Sequence, residues 1–417
     1  MPQPPADLRS RLAGAGMVAV SITAMNVATY SFTLVAARLL APAHFGELTA
    51  MMGIVLVGNV AALGLQATTA RRIATRRTDD EQAAVIDAAR RATWMAAATV
   101  AAVTLALSPL LQAALDLTSW WSMLLVALTL VPLTVFGTQA GVAQGSRRWS
   151  RLSLLYAVMG AGRLVCGTAA AAIDATPSVV MVGVFVGAAV PVAVGWPLLR
   201  PSPPPPVGPR AVESESARPT DSRAVLVETL HGSHALLAYF ALTNADALLA
   251  RVVLSPHDSG IYAAGLIVTK ACLFLPQFVT VVAFPDLAQA RDTRTRRIAA
   301  GLIAALGGAV VAGTWLLPDL ALAFVGGDEY ADVQDLLPLF ALEGSVFALL
   351  QLLLYDALAR RSRVITVGLW TALAAATVVV LTSVDTVAGL PVVMTSAAAG
   401  VAVLSALPIR PRLSRRQ

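Results

Sequence analysis

Four ionisable side chains stand inside long apolar stretches of this 417-residue chain: Arg163, Asp246, Lys270 and Glu343. A charge taken out of water is costly unless it is paired or hydrated, so each is a candidate for function. A guanidinium presents a planar fork of donors and an ammonium a point charge, and both suit anionic oxygens. A carboxyl group in low-dielectric surroundings can carry a proton near neutral pH. Each residue also has a purely structural reading, as helix glue through hydrogen bonds or an internal ion pair. Lys270 stands out by subtraction, because it is the only lysine among 30 Lys and Arg residues.

Neighbours at helical spacing suggest which faces these residues share. Tyr239, Thr243, Asp246 and Ala250 fall on one face, as do Lys270, Phe274 and Gln277, and likewise Tyr156, Gly160, Arg163 and Gly167. Asn26, Thr29 and Thr33 form a polar stripe in the first apolar run; Asn59 and Gln66 form one in the second. Such stripes on otherwise apolar helices should face a cavity or a partner helix, not lipid. Other chemistry is sparse. Cys166 and Cys272 both lie in apolar runs and read as small buried side chains, and the four histidines are scattered. No metal-ligand spacing occurs, and neither a metal nor a cofactor is expected.

The elements that carry these residues follow from composition. The chain is 57% hydrophobic and 13% charged, with a mean hydropathy of +0.73. That is too little charge to cover a soluble protein of this length. Twelve apolar runs begin near Ala13, Phe45, Ala92, Ser119, Leu152, Ser178, Glu228, Ser259, Ile298, Gln334, Val364 and Val387. Most have about 20 residues or more, enough for a helix to cross a hydrocarbon core of about 30 Å. The first run is too long for a cleavable signal and reads as the first span. The arginines fill alternate gaps, from Arg9 and Arg11 through Arg71, Arg72, Arg147, Arg148, Arg291 and Arg360 to Arg415 and Arg416. Because positive residues stay inside, both termini are expected in the cytoplasm and the number of spans is even. The isoelectric point near 9.9 would suit nucleic acid, but these cations adjoin membrane spans, where anionic headgroups account for them. No nucleic-acid role is expected.

Composition changes abruptly at residues 200–223, where Pro203, Pro204, Pro205 and Pro206 lead into Glu213, Ser214, Glu215 and Ser216. Such a segment cannot bury apolar surface and reads as a cytoplasmic linker. It divides the chain into residues 1–199 and 224–417, with six spans each. An even number of spans per half permits parallel repeats about an axis along the membrane normal. The first half carries Ala37-Arg38, then Pro42, then Gly46; the second carries Ala250-Arg251, then Pro256, then Gly260. Each copy lies between the first and second span of its half. Arg38 and Arg251 are expected to snorkel to headgroups, with a gate between the halves as the sharper alternative. The loops outside the membrane are short, the longest being the acidic stretch from about Gly326 to Asp335, so no catalytic domain fits there and an enzyme is not expected. Residues Arg71 to Arg91 could form a short interfacial helix or a solvated connecting one.

The segment Ala37-Arg38-Leu39-Leu40, Pro42 and Phe45-Gly46-Glu47 resembles the opening of bacterial polysaccharide exporters. So do Asn244-Ala245-Asp246 with Ser255-Pro256 and Gly260-Ile261-Tyr262-Ala263-Ala264, and Gly327-Asp328-Glu329-Tyr330. These are the Wzx-type lipid-linked oligosaccharide flippases of the multidrug, oligosaccharidyl-lipid and polysaccharide exporter superfamily. The resemblance covers the span count, the two-part layout and these short patches. Its implication is an all-α polytopic membrane protein with 12 transmembrane helices in two six-helix lobes around a central cavity. Alternating access would move a polyprenyl-pyrophosphate-linked oligosaccharide across the bacterial cytoplasmic membrane for surface polysaccharide synthesis.

On that reading Lys270 and Arg163 contact the pyrophosphate or acidic sugars, with Tyr239, Asn26, Asn59, Gln66 and Gln277 lining the path. Asp246 and Glu343 would bind a coupling proton or sodium ion. The structural alternatives are a Lys270–Asp246 pair, and Arg163 paired to a backbone carbonyl or Glu343. Membrane lipids, a polysaccharide polymerase and glycosyltransferases are the expected partners, and the protein is expected to act as a monomer. The rival readings are a cation-coupled multidrug antiporter, which should carry acids rather than cations in its cavity, and a lipid II flippase, which should have more spans and a more cationic first half. A membrane glycosyltransferase or polymerase should show a large outer loop with paired acids.

Overall fold

A computed structural model describes residues 6–76, 78–199, 222–287, 293–359 and 364–406 of the chain. Within these, side chains are described except at 6–13, 15, 199, 231–232, 274–287, 293–296, 358–359, 364 and 406. The proline-rich linker, apart from Ser222 and Arg223, and the C-terminal arginines lie outside the described residues.

The described residues form helices and no strands. In chain order these are α1 (Ala6–Leu39), α2 (Pro42–Gly58), α3 (Val60–Ala74), α4 (Asp79–Ala114), α5 (Trp121–Gly145), α6 (Trp149–Ile173) and α7 (Pro177–Gly195). They continue as α8 (Ser222–Val253), α9 (Pro256–Leu287), α10 (Thr293–Leu316), α11 (Pro318–Val325), α12 (Leu337–Ala359), α13 (Val364–Ser383) and α14 (Gly389–Ala406). Helix is the expected answer for apolar runs in lipid, because it satisfies every backbone donor and acceptor within one segment. Each of the twelve apolar runs is helical. Ten stretches among the described residues are long and apolar enough to cross a membrane, and Gly389–Ser405 is a shorter apolar helix. Twelve spans are compatible with this.

Local chemistry sets the helix ends. Pro42, Pro177, Pro256 and Pro318 each open a helix, where a missing N–H costs nothing. Thr78 and Glu81 form a reciprocal capping box on α4. No separate interfacial helix follows α3: the charged residues from Asp79 to Arg91 are the first turns of α4, which is 36 residues long. The second apolar run is one span interrupted at Asn59, which joins α2 to α3. The acidic stretch expected as a loop is a 3-10 segment, Asp328–Leu336, with Tyr330 and Val333 buried. Gly326 and Gly327 lead into it at φ 149° and 91°, a region that favours glycine.

The packing repeats from one half to the other. In the first half α6 packs on α1 and α7, and α5 packs on α3, α4 and α7. In the second, α13 packs on α8 and α14, and α12 packs on α9, α10 and α14. Counted by spans, these are the same pairs. The two groups meet along α2–α3 against α8 and α2 against α9, with α1 also touching α9. The end of the bundle that carries the α1–α2 and α8–α9 turns, here the hairpin end, holds the main apolar core. There Phe45 packs edge-on to Tyr330 and Tyr262 edge-on to Phe340, and all four are fully buried.

Candidate functional site

Lys270 sits half-buried in the middle of α9 and reaches across to α8. Its ammonium donates to the Thr243 carbonyl at 2.5 Å and to Asn244 Oδ1 at 3.0 Å. The amide of Asn244 is itself fixed, because Nδ2 donates to the Phe240 carbonyl at 2.8 Å. Among the described residues no ion pair within 4.0 Å joins Lys270 to Asp246 or Glu343. The lysine therefore binds α9 to α8 through neutral oxygens.

The two acids lie nearer the hairpin end and are fully buried. Asp246 Oδ1 accepts from the Ala247 amide at 2.7 Å, and Oδ2 has no protein partner. Glu343 Oε2 lies 3.2 Å from Thr269 Oγ1, and Oε1 has no partner. The Thr269 hydroxyl carries one proton yet also lies 3.0 Å from the Phe340 carbonyl. Both contacts are satisfied together when a protonated Glu343 donates to Thr269. The buried Tyr262 hydroxyl is likewise without a partner; Asp246 and Glu343 are near enough to act electrostatically on it and on each other, and Lys270, though not within ion-pair distance, acts on both acids. Three unfilled polar atoms on α8, α9 and α12 thus share one buried neighbourhood.

Arg163 comes from the other half, on α6. Its guanidinium reaches α2 at Met52 Sδ, 2.7 Å away, while its buried Nε has no partner. Gly160 and Gly162 allow α6 to lie directly on the backbones of Met25 in α1 and Gly187 in α7. Gly167 similarly faces the ring of Phe32. The glycines of the Arg163 stripe thus face partner helices. Beside Met52, Gly53 lies against the Asn244 carbonyl; a Cβ there would stand 3.4 Å from it. Arg163 and Lys270 therefore contact residues at one level of the α2–α8 contact, one from each half.

The remaining predicted residues are dispersed. Gln66 donates to Gln144 Oε1 at 3.0 Å and to the Tyr156 hydroxyl at 2.8 Å, in a polar group of α3, α5 and α6. Asn59 stands half-buried at the break between α2 and α3, and Asn26 half-buried on α1. Tyr239 is buried in the apolar cluster of α8, α12, α13 and α14, and its hydroxyl donates to the Phe347 carbonyl at 3.3 Å. The side chain of Gln277 lies outside the described ones. Sequence reasoning missed Asn244 and Thr269 as direct partners of Lys270 and Glu343. It also missed Glu47, which is fully buried and accepts from the amide and hydroxyl of Thr118, both at 3.2 Å.

No family model and no curated protein sequence matches the chain. Solved structures do match its fold. A multidrug resistance MATE family transporter of the MOP superfamily, in an inward-facing conformation, superposes with a TM-score of 0.66 at 12% identity, covering 93% of this chain and 96% of that one. The lipid II flippase MurJ, in an inward closed conformation, gives 0.71 at 8% identity, with 93% and 86% covered. A MOP superfamily transporter from Pyrococcus furiosus gives 0.54 at 13% identity, with 95% and 93% covered. The chain has the fold of these transporters and is a multi-pass membrane protein.

Proposed function

We propose that this protein carries a polyprenyl-pyrophosphate-linked oligosaccharide across the bacterial cytoplasmic membrane for surface polysaccharide synthesis. Residues 1–199 and 224–417 would act as the two lobes of an alternating-access transporter, joined by the linker at 200–223. The arginine-rich end and both termini would face the cytoplasm, and the hairpin end would face outward. The observation that carries this reading is the approach of Arg163 and Lys270 to one level of the α2–α8 contact, with Arg163 Nε unfilled. An anionic headgroup would supply acceptors to a guanidinium whose only described partner is a thioether sulfur, a weak acceptor. A cationic drug gains nothing from that pair, so the cations favour an anionic lipid cargo over multidrug export.

Asp246, Glu343 and Tyr262 supply the coupling site in this reading. A proton would be taken by the Asp246 carboxylate, or a sodium ion would be held by carboxylate oxygens with the Tyr262 hydroxyl oxygen, and a protonated Glu343 satisfies both contacts of Thr269. A lipid II flippase shares the pyrophosphate chemistry and is the second reading, supported by the MurJ-like fold. The test is surface polysaccharide in a deletion strain carrying wild type, Lys270→Ala or Arg163→Ala at matched membrane abundance. Loss of polymer in both variants is expected, and full export in both rules out the cationic site. A strain that loses peptidoglycan synthesis while keeping surface polysaccharide selects lipid II instead.

A further inference from the structure

We propose that Arg38 and Arg251 form a reciprocal latch that holds the hairpin end of the transporter shut. The two residues occupy matching places, each near the end of the first span of its half. Each reaches into the opposite half rather than outward to lipid headgroups. Arg38 Nη2 donates to the Ala323 carbonyl at 2.9 Å, in the last turn of α11. Arg251 donates from Nε to the Leu115 carbonyl at 2.8 Å and from Nη2 to the Asp116 carbonyl at 2.9 Å, just past the end of α4. Its third contact, from Nη1 to Ser259 Oγ at 3.2 Å, anchors it at the start of α9.

The chemistry at the two ends is the same. The last carbonyls of a helix have no partner inside it and carry the negative end of its dipole. A guanidinium from the other half fills that position twice, once on each side of the repeat. Both receiving segments follow the third span of their half, so the pair obeys the pseudo-twofold symmetry. Tyr330 adds a second crossing strap, donating to the Ala37 carbonyl at 2.9 Å. The two arms are unequal: Arg251 is 5% exposed with three contacts, whereas Arg38 is exposed with one. Separation of the halves at this end must break every one of these bonds except that to Ser259, leaving the buried Arg251 guanidinium with that one acceptor. The latch goes beyond the transport reading, because it concerns conformation and needs no substrate.

The test measures distance across the hairpin end in full-length protein reconstituted in liposomes. Spin labels go on the exposed sites Asp174→Cys and Asp335→Cys, with Cys166 and Cys272 replaced by alanine. Electron double resonance then compares wild type with Arg38→Gln, Arg251→Lys and the double Arg38→Gln/Arg251→Gln variant. A latch predicts a shift to longer distances, larger for Arg251→Lys than for Arg38→Gln. Lysine keeps the charge and loses the fork, so a headgroup-snorkelling role leaves Arg251→Lys at the wild-type distance. Unchanged distributions in both single variants overturn the latch. Arg38 is exposed, so Arg38→Gln carries the test even where the double variant does not accumulate.

Discussion

Gly46 and Gly260, each four residues after the proline that opens its helix, lie against each other where α2 crosses α9. A Cβ on Gly46 would stand 2.8 Å from the Gly260 nitrogen, and one on Gly260 would strike the Pro42 carbonyl. The repeat-related glycines therefore mark where the pseudo-twofold axis passes between the halves. Two spans can cross this closely only where neither carries a side chain.

Gly260→Ala must push α9 away from Pro42 and is expected to lower thermal stability by about 1–3 kcal/mol, the usual cost of overpacking. Gly16 and Gly308, whose Cβ positions meet nothing within 4 Å, are controls. Unfolding in detergent, followed by intrinsic fluorescence, should rank Gly260→Ala well below Gly308→Ala.

Lys270→Ala leaves Asn244 Oδ1 without its donor and removes one of the two cations at this level. A hydrogen bond to a charged group is worth about 1.5–3 kcal/mol, so transport should fall about 10- to 100-fold if the lysine also meets substrate. Asn244→Ala keeps the charge and frees its position, and a smaller loss is expected. Export assays at matched abundance check the order; equal losses would make Asn244 more than a support.

Asp246→Asn removes a fully buried carboxylate whose Oδ2 is unfilled. Transport by this variant should lose its dependence on the proton or sodium gradient, measured by collapsing each gradient separately in vesicles. Wild-type gradient dependence in Asp246→Asn would end the coupling role.

Glu343→Gln should keep thermal stability, because an amide can donate to Thr269 Oγ1 as a protonated carboxyl would. Glu343→Ala removes that partner from a buried hydroxyl and should cost about 1–3 kcal/mol. Equal melting temperatures for the two variants would contradict the hydrogen-bond count at Thr269.

At the end opposite the hairpins, Glu228 of α8 pairs with Arg71 and with Arg72 of α3, the latter at 2.6 Å. Arg71 is 67% exposed and Arg72 18%, so water and salt screen the pair and its worth is up to about 1 kcal/mol. Glu228→Gln should lower the melting temperature slightly at low salt, and the difference should shrink at high salt.

The hairpin motif Ala-Arg, Pro, Gly was legible in the sequence twice, and so was the helical nature of each apolar run. Lys270 and Arg163 were visible as charges out of place, and residue counting along a helix put both near mid-span. Their partners were not visible. Counting gives depth along an axis but not rotation about it, so Asp246 was the expected partner of Lys270 and Asn244 was missed. The polar stripe around Arg163 was expected to face a cavity or a partner helix, and its glycines, Gly160 and Gly167, face Met25 and Phe32 of α1.

What this sequence determined by itself are properties of single segments: which stretches are apolar, where arginine gathers, and where proline and glycine recur. Hydropathy and backbone geometry act locally, so they can be read locally. The tertiary structure alone decided that Arg38 and Arg251 turn into the opposite half, and that Lys270 rests on Thr243 and Asn244. The reason is physical. A lipid-facing side and a protein-facing side of a membrane helix are both apolar, so periodicity does not say which face a neighbour will cover. Only the packed bundle brings Leu115 and Asp116 under Arg251, more than 100 residues away in the chain.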